Sequence, residues 1–210
     1  MAKKKNKAIM ENKIILEGVV LSISRTQNVT KIMLSTSPSR NKDYRDLPTI
    51  VCFGKVAKQA ENLKPQDHAR IECAMLSVRF SKQDKYGVPS YLVASKVSEP
   101  ETLLSKTLGV TGTEKNYEDK NDGVIAGVVT KAFIFPNNKG MAIGVTANAN
   151  GRLSFPEALL FDNIFKQAKR EQIKKGDTVA IGCYVKTGKD SNGKPYESLV
   201  AKEFKLIGRA

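Results

Sequence analysis

Tryptophan is absent from these 210 residues, histidine occurs once and cysteine three times. Cys52, Cys73 and Cys183 show no C-x-x-C spacing, and only His68 could join them. Neither a disulfide framework nor a zinc site is expected, and the thiols read as small buried apolar groups. Clustered carboxylates are lacking too: Asp43 and Asp46 fall in a basic loop and Asp119 and Asp122 in a charged stretch, without histidines to complete a hydrolytic metal site. The expectation is a protein that is not an enzyme and uses no cofactor. Apolar runs are only a few residues long, and no signal peptide or membrane span is visible, which predicts a soluble, cytoplasmic protein with no membrane partner.

Negative charge is the other deficit. Lys and Arg number 35 against 21 Asp and Glu, a net charge of +14. The excess is spread along the chain, with 18 basic against 9 acidic residues up to position 100 and 17 against 12 beyond it. Such a balance predicts affinity for polyanions, of which nucleic acid is the commonest inside a cell. Lys3, Lys4, Lys5 and Lys7 form a basic start expected to add only non-specific attraction.

What the chain has in place of these is internal repetition. Gly87-Val-Pro-Ser-Tyr-Leu-Val-Ala-Ser-Lys-Val97 reads like Gly193-Lys-Pro-Tyr-Glu-Ser-Leu-Val-Ala-Lys-Glu-Phe204, and Glu17-Gly-Val-Val20 like Ala126-Gly-Val-Val129. Cys52-Phe-Gly-Lys-Val-Ala57 answers Leu160-Phe-Asp-Asn-Ile-Phe165, and Asp67 to Cys73 answers Asp177 to Cys183. One fold used twice is the natural reading. It divides the chain into a basic segment 1–11, a first domain 12–100, a linker 101–122 and a second domain 123–210, each domain large enough for a modest core.

Within each copy the apolar period is two, as in Val179, Ile181, Cys183 and Val185, which marks strands with one buried face. Five are expected in the first copy, near 13–25, 30–37, 47–53, 68–80 and 90–98, and five in the second, near 123–134, 139–147, 153–161, 177–187 and 196–207. A short helix falls between the third and fourth strands of each: Val56 to Leu63, stopped by Pro65, and Ile164 to Ile173, capped by Asp162 or Asn163 and ended by Lys174-Lys175-Gly176. That order is the OB-fold, a five-stranded Greek-key barrel that binds oligonucleotides across strands two and three and the loops joining strands one to two and four to five. The fold class is therefore all-β with one short helix per domain, two OB barrels in tandem. Gly18 and Gly127 sit where a closing barrel must bend. In the linker, Leu103, Leu104 and Leu108 could form one turn of helix.

In this form the chain resembles the bacterial type of single-stranded DNA-binding protein. The resemblance rests on Asn12-Lys-Ile-Ile-Leu-Glu-Gly18, Val51-Cys-Phe-Gly-Lys-Val-Ala57, Lys175-Gly-Asp-Thr-Val179 and a glycine-containing hairpin before the last strand. It implies a non-enzymatic protein that coats exposed single strands in replication, recombination or DNA transfer, in a diverged tandem form of phage, plasmid or mobile-element type. The family's aromatic before Gly-Lys of strand three implies stacking by Phe53, with Phe161 its repeat partner. A second aromatic six residues earlier falls on Phe155 in copy two and on Leu47 in copy one. A third falls on Phe80 beside Arg79, with Tyr184 the nearest second-copy counterpart. Alternation by itself would put Phe53 and Phe161 inside, on the parity of Val51 and Leu159. The family's acidic tail has no match in Phe204-Lys-Leu-Ile-Gly-Arg-Ala210, so recruitment of replication or recombination proteins through such a tail is not expected.

Phosphate contacts are expected from basic residues in or beside the two binding surfaces. In copy one these are Arg25, Lys31, Arg40, Lys42, Arg45, Lys55, Arg79, Lys82 and Lys85; in copy two, Lys131, Lys139, Arg152, Lys186, Lys189 and Lys194. The expected partner is single-stranded DNA, bound with little sequence preference by a monomer or homodimer. Two alternatives stay open: single-stranded RNA, since stacking accepts both, and a tandem-barrel interaction module that docks on a replication or conjugation protein.

Overall fold

The computed structural model describes residues 10–37, 45–77, 90–100 and 119–210. Outside them lie Lys3, Lys4, Lys5, Lys7, Arg40, Lys42, Asp43, Arg79, Phe80, Lys82, Lys85, the start of the Gly87 repeat, and linker residues 101–118 with their three leucines.

The first half runs β1 (Glu11–Arg25), β2 (Val29–Ser35), β3 (Thr49–Phe53), helix α1 (Gly54–Gln59), β4 (His68–Ser77) and β5 (Ser90–Ser98). The second runs β6 (Lys120–Ile134), β7 (Gly140–Ala149), β8 (Arg152–Ser154), β9 (Glu157–Phe161), helix α2 (Asp162–Arg170), β10 (Thr178–Lys189) and β11 (Pro195–Gly208). β1 pairs with β2 and β4, β2 with β3, β3 in parallel with β5, and β5 with β4, which closes a ring of five strands. The second half closes the same way through β6, β7, β9, β11 and β10, with β8 added to β7. Alternation dictates the filling: Ile14, Leu16, Ile32, Ile50, Ile71 and Leu92 point into one ring, and Ile125, Ile143, Leu160, Ile181 and Leu199 into the other, all fully buried. Each helix closes one end of its barrel, α2 by burying Phe165 and Ala168.

Gly18 and Gly127 are required by close approach. A Cβ on Gly18 would lie 2.1 Å from the Ser35 carbonyl oxygen, and one on Gly127 would lie 1.8 Å from that of Thr146. Just beyond each glycine the first strand bulges, between Val20 and Ser22 and between Val129 and Lys131, and the strand bends round the barrel.

Several boundaries differ from expectation. Strand three begins after a proline in both copies, at Thr49 behind Pro48 and at Glu157 behind Pro156, because proline offers no N–H to the ladder. The stretch expected as one strand from 153 to 161 is thus broken into β8 and β9. Both helices are shorter than expected and start immediately after the aromatic, with Phe53 and Phe161 as N-caps and no side-chain cap bond. Asp162 is therefore inside the helix and caps nothing; its φ of 48° matches the 52° of Gly54 in the other copy. α2 stops at Arg170, before Lys174-Lys175-Gly176. Lys120, Asn121 and Asp122, assigned to the linker, belong to β6.

The two halves are joined edge to edge. β1 pairs with β6 antiparallel from Glu11 opposite Ala126 to Glu17 opposite Lys120, with Ile14 opposite Gly123 in the middle. Ile14 and Gly123 are repeat equivalents, so a pseudo-twofold axis passes through that pair. The symmetry reappears in two buried asparagines. Asn12 donates from Nδ2 to the Met75 carbonyl (2.7 Å) and accepts from the Met75 N–H at Oδ1 (3.0 Å). Asn121 does the same to Val185, at 2.8 Å in both directions. Each amide serves as one more rung of ladder for β4 or β10. Replacing Asn121 by Ala leaves the buried Val185 N–H and C=O unpaired, and Asn12→Ala leaves the Met75 N–H unpaired while its carbonyl keeps the Ser154 hydroxyl; either substitution is expected to cost about 1–3 kcal/mol in equilibrium unfolding, Asn121→Ala the more. Gly127→Ala, which drives a methyl into a backbone carbonyl, should yield no folded protein by circular dichroism.

Candidate nucleic-acid interface

Two of the exposed aromatic side chains, Phe133 and Phe161, meet at one corner of the second half. β6 leads into a turn over Phe135 to Lys139, closed by Phe135 N–H to the Gly140 carbonyl (2.9 Å) and Asn138 N–H to the Phe135 carbonyl (2.8 Å). Phe133 on β6 and Phe161 at the end of β9 are 49% and 37% exposed, and Phe135 bridges them. Ring centroids lie 6.2 Å apart for Phe133 and Phe135 and 6.1 Å for Phe135 and Phe161. Phe161 pairs across the ladder with Gly140, where a Cβ would sit 2.8 Å from its ring. The glycine lets that ring lie down on the sheet while its outer face meets solvent. Lys131 Nζ is 6.0 Å from the Phe133 centroid and 2.8 Å from Glu157, and Lys139 is exposed in the turn. A row of rings edged by ammonium groups is suited to stacking on flat, unpaired bases while neutralising their phosphates.

The same corner of the first half is sparer. Phe53 is 46% exposed at the end of β3, and Lys31 and Lys55 are exposed near it, but the β1–β2 turn carries Thr26 and Asn28 and no ring. Phe53 and Phe161 do not share the buried parity expected of them. Ile50 and Cys52, and Ala158 and Leu160, face inward, and Val51 and Leu159 are only half-buried.

Other expected residues serve elsewhere. Arg25 turns its guanidinium onto the carbonyls of Ala60, Glu61 and Leu63 (3.0, 3.2 and 2.6 Å) at the end of α1. Arg45 bonds to Ser35 and pairs with Asp119. Phe155 and Tyr184 are half-buried, Phe155 in the break between β8 and β9 and Tyr184 on β10 opposite Val200. Arg152 and Lys186 are exposed on β8 and β10, and Lys189 and Lys194 flank the β10–β11 turn. In that turn the Asp190 carboxylate accepts from the Asn192 and Lys194 N–H groups (2.8 and 2.9 Å). Phe133 and Phe135 were not among the expected contacts, although their i, i+2 spacing ahead of Pro136-Asn137-Asn138 was visible.

A groove of about 800 Å³ runs between the halves, walled by Met33, Leu47 and Thr49 of the first and by the β10–β11 hairpin of the second. Its walls are bonded together. Asp46 accepts from the Thr187 N–H (2.8 Å), Leu47 N–H donates to Thr187 Oγ1 (2.9 Å), and Thr49 N–H donates to Glu197 Oε1 (2.6 Å). On the other side of the axis Ser77 N–H donates to Ser154 Oγ (3.2 Å), which donates to the Met75 carbonyl (2.9 Å). Asp46, expected in a basic loop, is fully buried. Burial pushes its carboxyl above the usual range, against the Thr187 bonds and nearby Lys186. Burial likewise raises Glu197 from 4.5 to about 7, opposed by the Thr49 N–H. It also pushes the Cys52 and Cys183 thiols up to about 11 and about 12, which leaves them protonated and unreactive at neutral pH. No cluster of metal-ligating side chains exists among the described residues.

The class this architecture defines is the OB-fold barrel. Sequence comparison finds no family profile that matches the chain and no curated protein that aligns with it. Fold comparison does find similar structures. The wild-type single-stranded DNA-binding protein from Thermus aquaticus matches with a TM-score of 0.67 and 13% identity over 97% of this chain and 96% of that one. A deletion mutant of the same protein gives 0.67 and 12% over 96% of each. At such identities the likeness is one of fold, and it runs through both halves. No helix among the described residues is long and apolar enough to cross a membrane.

Because Glu197 binds its proton more tightly folded than unfolded, its contribution to stability is whole below pH 4.5 and declines as pH rises to about 7. The slope is at most about 1.4 kcal/mol per pH unit. Thermal melts between pH 5 and 8 should show wild type losing stability relative to Glu197→Gln, whose amide oxygen can still accept from Thr49.

Proposed function

We propose that this chain binds and coats single-stranded DNA with little sequence preference, as two OB barrels in tandem, and performs no catalysis. The observation that carries the reading is the row of exposed Phe133 and Phe161 joined by half-buried Phe135, with Lys131 beside it, on the barrel corner formed by the first hairpin and the end of strand three. Phe53 offers a single ring at the equivalent corner of the first barrel. Net charge of +14 supports phosphate binding along both, and the Thermus aquaticus protein whose fold this chain shares is itself a single-stranded DNA-binding protein. Replication, recombination or DNA transfer on a phage, plasmid or mobile element are the settings in which such a coat would act.

Only unpaired bases reach a stacking platform, so fluorescence titration should show tighter binding to an oligonucleotide than to duplex DNA at matched salt, and an RNA arm decides between the two single strands. Log affinity should fall against log salt by about 0.7 per phosphate contacted. Phe133→Ala and Phe161→Ala should each weaken binding by about 1–3 kcal/mol, with a smaller effect on melting temperature than loss of a core ring, since neither ring belongs to the buried core. Full affinity in both variants, or equal affinity for duplex, would leave the interaction module as the better account.

A further inference from the structure

Two exposed rings in this protein lie on a glycine of the neighbouring strand. One is Phe161 on Gly140. The other is Tyr196, 44% exposed, opposite Gly188 in the β10–β11 hairpin, where a Cβ on the glycine would meet the ring at 2.8 Å. The missing side chain gives the ring a seat on backbone and fixes its plane before any ligand arrives, which lowers the ordering cost of binding. Tyr196 looks into the groove between the halves, across from Leu47, itself 43% exposed. Leu47 is the repeat equivalent of Phe155, so the first half has an aliphatic residue where the second has an aromatic one, and the ring in that space comes from the other half.

Building on the proposed single-strand binding, we infer that this groove is a nucleobase subsite in which Tyr196 stacks on a base against Leu47 and Met33, carrying a bound strand from one half to the other. The Asp46, Thr187, Thr49 and Glu197 bonds hold its walls at fixed separation. Its volume of about 800 Å³ is that of a small-molecule site. Charge complements a strand as well: Lys189 and Lys194 stand at the rim, while the Asp190 carboxylate is occupied in its own turn. Two carboxylates line the groove, Asp190 at the rim and Glu197 on the floor; burial lets Glu197 keep its proton near neutrality, so only at higher pH does its charge join that of Asp190 against phosphate. The charged and titratable groups around it are Lys189, Asp190 and Lys194 on the hairpin, Asp46 and Lys186 behind, and Cys73 on β4.

Because tryptophan is absent, a Tyr196→Trp variant carries a single tryptophan, in the groove, and a Phe133→Trp variant carries one on the outer platform, each excited selectively over the tyrosines at the red edge of absorption. Titration with oligo-dT should quench both, and Tyr196→Ala should bind roughly tenfold more weakly than wild type with an unchanged melting temperature. Gly188→Ala, which lifts the ring from its seat, should weaken binding in the same direction. Quenching in the Tyr196→Trp variant should be stronger at pH 6 than at pH 8, and that difference should vanish when Glu197→Gln is added. If the Phe133→Trp signal is quenched while the Tyr196→Trp signal is not, and Tyr196→Ala binds like wild type, the groove is off the path and the inference falls alone. If neither is quenched and no binding is seen, the single-strand reading itself falls.

Discussion

Backbone hydrogen bonding along both edges of β1 and β6 is the constraint from which the remaining geometry follows. Residues 14 to 17 of β1 are shared between β4 and β6, and residues 123 to 126 of β6 between β10 and β1. Neither barrel can turn relative to the other without tearing a ladder, so the register of one short pairing fixes where the distal hairpins land. It brings Thr187 onto Asp46 and Ser77 onto Ser154, contacts between residues far apart in sequence. The groove between the halves is a consequence of that register.

The basic residues divide by chemistry. Arg25 gathers helix-end carbonyls, Arg70 pairs with largely buried Glu17, and Arg209 ties the Glu171 carbonyl and buried Asp177 to the chain end. A planar, multidentate guanidinium suits such fixed clusters of oxygen. The flexible ammonium groups of Lys31, Lys55, Lys139, Lys189 and Lys194 are left exposed instead. Among the described residues, the exposed positive charge is therefore carried mainly by lysine.

Strand order, helix placement and the two glycine bends were legible because they rest on local alternation and on steric rules that a single residue reveals. The corner of exposed rings was only partly so. The resemblance located Phe53 and Phe161 at the surface, whereas alternation counted from Val51 and Leu159 pointed inside; the buried register is that of Ile50, Cys52, Ala158 and Leu160. Tyr196 escaped notice because its significance depends on the glycine it faces across a ladder, and cross-strand register is not written in the order of residues. Asp46 looked like a loop carboxylate for the same reason, its partner Thr187 lying on the other half of the chain. The helix caps failed because Asp162, a good cap by type, occupies the left-handed position that Gly54 holds in the first copy.

At the centre of the β1–β6 ladder the two copies are not interchangeable: Gly123 leaves the room that the Ile14 side chain fills, and a Cβ there would come within 2.8 Å of it. Two identical first halves would set isoleucine against isoleucine at that point, and two identical second halves would leave a hole. The pairing is specific to unlike partners, and having both on one polypeptide makes their encounter intramolecular, at an effective concentration independent of how dilute the protein is. A protein built this way would not come apart into single barrels at the dilution where a symmetric dimer dissociates.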